Sequence, residues 1–123
     1  MQLSQDQNQG KFFIFSYQPG AINVNQTIYS HSIIVTTDAI ITWPPQTIVD
    51  LTREDFAIVA KQHPEVVLIG TGERQHFLSA AILAILIENN LGYEVMSTAA
   101  ACRTYNALVA EGRKVVAALL NKN

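Results

Sequence analysis

The chain reads Val66-Val67-Leu68-Ile69-Gly70-Thr71-Gly72 near its centre, and much of the architecture can be inferred from this segment. Four consecutive apolar residues followed by glycines predict a strand that is buried on both faces and runs into a tight loop. A helix from about Gln75 to Asn89 is predicted after the loop, and Gly92 then precedes a short strand from Tyr93 to Met96. This order is typical of a parallel βαβ unit.

The C-terminal third continues the alternation of strands and helices. Ser97 and Thr98 offer an N-cap for a helix from about Ala99 to Glu111, and Gly112 is placed for its C-cap. The run from Val115 to Leu120 could continue a helix or form an edge strand, and we favour the strand because Gly112 interrupts and two valines follow. Because parallel strands joined by helices cross over right-handedly, the second half is predicted to be a small layered α/β unit.

The first third is different, because short runs rich in β-branched and aromatic residues alternate there with turn residues. These runs are Phe12 to Tyr17, Ile22 to Val24, Thr27 to Tyr29, Ile33 to Thr37 and Ile40 to Trp43. The short breaks suit hairpins, so we predict an antiparallel meander that extends the α/β unit or packs on it. Two prolines after Trp43 end this pattern, and a helix from about Arg53 to Gln62 is predicted with Thr52 as its N-cap.

Length and composition limit the possible classes of protein. The 123 residues, 49% hydrophobic and 15% charged, fit one domain over residues 11–121, with the polar residues 1–10 as a flexible leader. Disorder is excluded, and the single Cys102 excludes an internal disulfide. The basic residues are scattered, which argues against a nucleic-acid partner. We recognise no signal or transit peptide and no membrane span, and we expect a cytoplasmic chain.

Three stretches resemble a known family: LIGTG at residues 68–72, GYEVMST at residues 92–98 and ACRTYNALVAEGRKVVAALL at residues 101–120. The N-terminal half agrees in residue order through Tyr17, Gly20, Ile22, Asn25, Tyr29, Ser32-Ile33-Ile34 and Trp43. The chain is similar, over roughly residues 12–120, to a small family of unknown function. That family includes the mitochondrial assembly factor three of respiratory complex I and the adipogenesis-associated domain protein. Ser97 departs from the acidic residue expected at its position in many relatives.

The resemblance implies a three-layer α/β fold. Its central mixed sheet would have about five strands with helices, beside a small additional antiparallel sheet from the N-terminal meander. It implies no established enzyme activity and no known catalytic residues, and we expect no cofactor. The assembly role of the mitochondrial relatives favours a protein-binding function, although fold or family alone does not determine function.

The loop Gly70-Thr71-Gly72 invites comparison with a dinucleotide-binding motif. The third glycine of that motif would fall on Gln75, and no phosphate-binding GK[ST] sequence is present. We therefore favour a turn that requires glycine, with anion binding by loop amides at the start of the next helix as the alternative.

Parallel neighbouring strands bring their following loops to one carboxyl edge of a sheet, where ligands usually bind in open α/β folds. A crevice at this edge is predicted to be lined by Thr71, Gly72, Thr98, Arg103 and Asn106. Arg103 and the helix dipole would bind a small anion or a partner's acidic side chain there. In the alternative interpretation Arg103 pairs with Glu94 or Glu111, and Asn106 satisfies loop backbone.

No set of residues predicts catalysis or a metal site. Cys102 lies in the first turn of the last predicted helix, where a dipole favours the thiolate, but the three histidines share no spacing that would supply a base. We favour Cys102 as a small buried residue. Histidines and carboxylates also lack the intervals of metal ligands.

The leading hypothesis is a non-enzymatic protein-binding or assembly module. The alternative is a small-molecule or anion-binding protein, or an unrecognised enzyme, that uses the carboxyl-edge crevice. The predicted helix from Phe77 to Ile87 is apolar nearly all round, so a protein partner or a second copy of the chain is expected to cover part of it.

Overall fold

The computed structural model describes residues 11–122, so the expected leader at residues 1–10 lies outside the described residues. The strands are β1 (Ile14–Gln18), β2 (Ala21–Val24), β3 (Thr27–Tyr29), β4 (Ile33–Val35), β5 (Ile40–Thr42), β6 (Val66–Gly70), β7 (Gly92–Met96) and β8 (Val115–Leu119). The α-helices are α1 (Ala57–Ala60), α2 (Ala84–Glu88) and α3 (Thr98–Ala110). Two 3-10 turns, Ile48–Asp50 and Arg53–Phe56, precede α1.

The main sheet has five strands in the order β5-β4-β8-β6-β7. Strand β6 runs parallel to both β7 and β8, whereas β4 is antiparallel to β5 and to β8. The sheet is therefore mixed, and the parallel half arises from the βαβαβ order that the sequence predicts.

Both faces of this sheet are buried, as β8 illustrates. Val115, Ala117 and Leu119 point into one apolar core, and Val116, Ala118 and Leu120 point into the other. The first core is closed by α3 together with the small antiparallel sheet β1-β2-β3. The second core is closed by α1, α2 and the segments next to them. This arrangement confirms the three-layer α/β fold.

The second core is organised around Trp43, which is 1% exposed. Its ring packs edge-to-face against Phe56 with a centroid distance of 5.6 Å, and its Nε1–H donates to the Asp55 carbonyl at 2.9 Å. A buried indole needs such an acceptor for its single donor. The aromatic pair therefore fixes the predicted Arg53–Gln62 helical region, observed from Arg53 to Ala60, against the sheet.

Helix α3 begins and ends as its sequence predicts. The Ser97 Oγ accepts from the Ala100 N–H at 3.2 Å, and the Gly112 N–H donates to the Val109 carbonyl at 2.9 Å after the last turn. The buried Tyr105 hydroxyl donates to the Phe12 carbonyl at 2.9 Å and so joins the helix to the chain before β1.

Two predictions about the sheets were wrong in detail. The strand at Val115–Leu119 is not an edge strand but the central one, because its side chains are apolar on both faces and β4 and β6 pair with it on either side. The N-terminal runs do not form one meander either. β1 to β3 make a separate sheet, whereas β4 and β5 join the main sheet because Ile33, Ile34 and Val35 pair with β8.

The predicted helix from Gln75 to Asn89 was also wrong over residues 75–83, because α2 covers only Ala84–Glu88. Thr71 Oγ1 donates to the Arg74 carbonyl at 2.6 Å and accepts from the His76 N–H at 3.0 Å, so this loop closes as a turn instead of starting a helix. A helical bond first forms where the Leu83 N–H donates to the Ser79 carbonyl at 3.1 Å. The segment is therefore not a helix that is apolar all round, since Leu78, Leu83 and Leu86 are already buried in the second core.

No helix within residues 11–122 has the length and apolar character needed to cross a membrane.

Candidate functional site

A cavity of about 320 Å³ opens at the carboxyl edge of the main sheet. Thr71 and Gly72 follow β6, and Lys122 follows β8, so the ends of two parallel strands meet there. The lining residues are Thr47, Ile48, Thr71, Gly72, Glu73, Arg74, His76 and Lys122. This is the place where open α/β sheets usually bind ligands.

Thr98 supports this edge of the sheet from inside the protein. It is fully buried, and its hydroxyl accepts from the Gly72 N–H at 2.8 Å and donates to the Leu120 carbonyl at 2.7 Å. The Thr98 N–H in turn donates to the Gly72 carbonyl at 2.8 Å. One side chain therefore joins the β6 loop, the start of α3 and the end of β8.

Gly70 lets these segments approach one another. A Cβ at this position would lie 2.8 Å from the Thr98 Cα and 3.1 Å from a Leu119 methyl carbon. Gly72 has a φ of +101°, which agrees with the predicted turn that requires glycine. The amides of Thr71, Gly72 and His76 are all used in internal hydrogen bonds, so these three are not free to bind an anion.

Side chains, rather than loop amides, give the cavity its polar character. Arg74 and Lys122 are exposed, and within residues 11–122 neither forms an ion pair with a carboxylate. Glu73 is the acidic member of the lining. Burial, and to a lesser extent the Glu73 carboxylate, raises the pKa of Tyr17.

A second cavity of about 410 Å³ adjoins the first and shares Lys122 with it. Its lining residues are Gly20, Ser30, His31, Ser32, Gln46 and Lys122. The fully buried Asn121 holds this wall in place, because its Nδ2 donates to the carbonyls of Tyr29 and His31 at 2.9 and 3.0 Å. Its backbone also bonds Gly20 and Ser32, so both sides of the second cavity are fixed to the end of β8.

The predicted five-residue crevice divides into two groups. Thr71, Gly72 and Thr98 lie together at the carboxyl edge, Thr98 as a buried support. Arg103 and Asn106 line a different, smaller cavity of about 160 Å³ between α3 and β1. The predicted convergence of all five residues was wrong because Arg103 and Asn106 lie farther along α3, on the side that packs against β1.

Asn106 is engaged in structure rather than in a free crevice. Its Oδ1 accepts from the Ile14 N–H at 2.9 Å, and its Nδ2 donates to the Ile14 carbonyl. This pairing satisfies the backbone of strand β1, whereas the alternative interpretation of the sequence had Asn106 satisfy loop backbone. Arg103 is exposed and forms no ion pair among the described residues, so the pairing with Glu94 or Glu111 is not seen.

Cys102 is 4% exposed, and burial raises the pKa of its thiol to about 12, with Arg103 opposing the effect. Because the thiolate is the reactive form, the thiol is expected to stay neutral and slow to react well above neutral pH. Native protein should therefore label with a maleimide much more slowly than urea-unfolded protein at the same pH between about 7 and 9. Rapid labelling in step with an unfolded control would contradict this expectation.

Sequence reasoning missed the residues that give the edge its chemistry. Arg74, His76 and Lys122 carried no motif, and Lys122 reaches the site only because β8 is central and parallel to β6. Within residues 11–122, no three His, Cys, Asp or Glu side chains cluster so that they could hold a metal ion.

The fold and its edge define a small three-layer α/β protein with an open, partly cationic groove at the carboxyl ends of its parallel strands. The chain belongs to the family described as "Protein of unknown function (DUF498/DUF598)", which matches residues 14–120. This confirms the family that the sequence motifs resemble.

Relatives of this chain carry different names. A "13 kDa major membrane protein" of Francisella tularensis is 27% identical and covers 94% of this chain and 95% of its own length. The "NADH dehydrogenase [ubiquinone] 1 alpha subcomplex assembly factor 3" of Danio rerio is 33% identical over 87% of this chain. This chain spans only 63% of that assembly factor.

The fold also matches a solved structure. A crystal structure of a Bordetella parapertussis protein is 41% identical to this chain, with a TM-score of 0.86. The alignment covers 92% of this chain and 98% of that protein. The layered arrangement is thus shared with a relative across nearly the whole domain.

Proposed function

We propose that this protein is a non-enzymatic protein-binding module of the assembly-factor type, and that its partner docks at the carboxyl edge of the main sheet. One observation carries the proposal: Val49 is 87% exposed and Phe77 is 90% exposed. Each directly follows a lining residue of the first cavity, Ile48 and His76 respectively. An exposed aromatic side chain such as Phe77 beside a cavity is a typical anchor for a protein partner, and Val49 adds exposed apolar surface next to the same cavity.

Residues 75–89 leave less apolar surface for a partner to cover than the sequence predicts. Leu78, Leu83 and Leu86 are in the core, so the exposed large apolar side chains of this segment are Phe77 and Ile87. The assembly-factor relatives support a protein partner as the occupant. Self-association through this surface is the alternative to a protein partner. The proposal also includes a cytoplasmic location.

A small-molecule-binding function is the second candidate, favoured by the volume of the first cavity. Its size of about 320 Å³ lies at the lower end of the usual range for ligand pockets. However, such pockets normally enclose most of the ligand, whereas Glu73, Arg74, His76 and Lys122 are exposed. A compact ligand would therefore remain largely in solvent, which favours a longer, chain-like occupant.

The docking edge can be tested by placing a photo-crosslinking amino acid at Phe77 or at Val49 in the full chain, in its native cell. Both positions should give adducts with the same partner protein, and Phe77→Ser should reduce the yield from position 49 several-fold, because an anchor is lost. Ile28 is the control position, since it is 66% exposed but lies in β3 of the other sheet.

Three results would overturn the docking proposal. These are equal adducts from position 28, adducts only between copies of this chain, or no adducts at either edge position. The third result together with a ligand retained in native mass spectrometry would favour the small-molecule alternative.

A further inference from the structure

We infer that the two adjoining edge cavities form one groove that binds an extended, acidic segment of the partner protein. This inference rests on the proposed docking function and adds the chemistry of the occupant. This groove consists of the two cavities that share Lys122, and the consecutive residues Gln46, Thr47 and Ile48 lie along one wall.

Charge complementarity points to an acidic occupant. Arg74 lies in one cavity and Lys122 lies between the two, while the acidic member of the lining is Glu73. Both cations are exposed and without carboxylate partners among residues 11–122, although the whole chain has a net charge of −2. Two exposed cations against one carboxylate in the lining favour carboxylates on the partner, which would form charge-assisted hydrogen bonds.

The shape of the groove favours an extended chain over a single small anion. The two cavities, of about 320 and 410 Å³, lie side by side and are lined largely by exposed residues. Because the Thr71, Gly72 and His76 amides are already bonded within the protein, these three cannot surround a compact anion as a phosphate-binding loop does. Arg74 and Lys122 both line the first cavity, and Lys122 also borders the second, so a peptide with spaced carboxylates could occupy both cavities, which a single small anion could not fill.

The walls of the groove are already in place to receive such a segment. Thr98 fixes the β6 loop to the end of β8, and Asn121 fixes the segments that bear Gly20 and Ser30 to Ser32. Binding would therefore order the partner's chain but little of this protein. Phe77 and Val49 beside the first cavity supply apolar contacts, so the preferred segment combines acidic and apolar residues.

The test uses a short fluorescein-labelled peptide in which glutamate and leucine alternate, with glutamine in place of glutamate in the comparison peptide. Anisotropy should show saturable binding of the acidic peptide that weakens with salt, and much weaker binding of the neutral one. The double variant Arg74→Gln/Lys122→Gln should raise the Kd about tenfold, because two exposed ion pairs are lost. Lys61→Gln/Arg103→Gln removes the same charge elsewhere and should change the Kd by less than about twofold.

Amide chemical shifts show where the peptide binds. The peptide should shift Lys122, Arg74 and residues next to Phe77, whereas inorganic phosphate alone should not reproduce the pattern. Equal weakening by both double variants, equal affinity for the neutral peptide, or the same shifts with phosphate would overturn the inference. If the peptide does not bind but partner adducts form at positions 49 and 77, only the inference about an acidic segment is wrong and the docking edge stands. If no adducts form, the proposed function itself is wrong.

Discussion

Replacing Gly70 with alanine should destabilise the fold by about 3 kcal/mol, at the upper end of the usual cost of overpacking a core. The added Cβ would lie 2.8 Å from the Thr98 Cα, 2.9 Å from the Thr98 Oγ1 and 3.1 Å from a Leu119 methyl carbon. The nearest atom is backbone, and the paired hydrogen bonds between Gly72 and Thr98 hold it in position. The contact cannot be relieved by a side-chain rotation alone, so strand and helix must separate.

Gly92→Ala is the matched control, because Gly92 is also a strand glycine but a Cβ there would lie 3.4 Å from its nearest contact, the Glu65 carbonyl oxygen. We expect this variant to stay within about 1 kcal/mol of the parent, since alanine also costs less conformational entropy than glycine. Urea unfolding of the three proteins measures the differences in the free energy of unfolding. In thermal unfolding, Gly70→Ala should lower the Tm by about 10 °C or more. Equal stability of the two variants would show that the edge relaxes around the added methyl group.

The parallel half of the main sheet was predictable because its signals are local. Val66 to Ile69 form an unbroken apolar run before glycine, and Ser97 and Gly112 mark the two ends of α3. The apolar run from Val115 to Leu120 carries the same signal of burial on both faces, and it could have indicated a central strand instead of an edge.

The division of the N-terminal runs into two sheets was not predictable from local pattern. All of these runs have similar β-branched composition, and their assignment depends on pairing with distant residues, such as Ile33 with Leu119. The groove was not predictable from local pattern either, because Lys122 and Arg74 come together only once β8 lies beside β6. Ser79 was a local signal that was missed, since its Oγ accepts from the Ile82 N–H and marks the true start of helical turns.

Thr98→Val should destabilise the protein by about 3 kcal/mol, although valine has nearly the same shape as threonine. The substitution leaves the Gly72 N–H and the Leu120 carbonyl without their partner in a site where Thr98 is fully buried. Each unsatisfied buried group costs about 1–3 kcal/mol, whereas the packing of the side chain is almost unchanged. The loss therefore measures the two hydrogen bonds that join the β6 loop to the end of β8.

Thr104→Val provides the matched control, because Thr104 lies in the same helix, is half-buried, and its side chain makes no hydrogen bond within residues 11–122. Its stability should stay within about 1 kcal/mol of the parent in urea unfolding. Since Thr98 also positions the loop that carries Arg74, the Thr98→Val variant should bind the acidic peptide more weakly even where it remains folded. Unchanged stability with Thr98→Val would mean that water replaces the hydroxyl, and that the edge of the sheet is less rigid than its hydrogen bonds indicate.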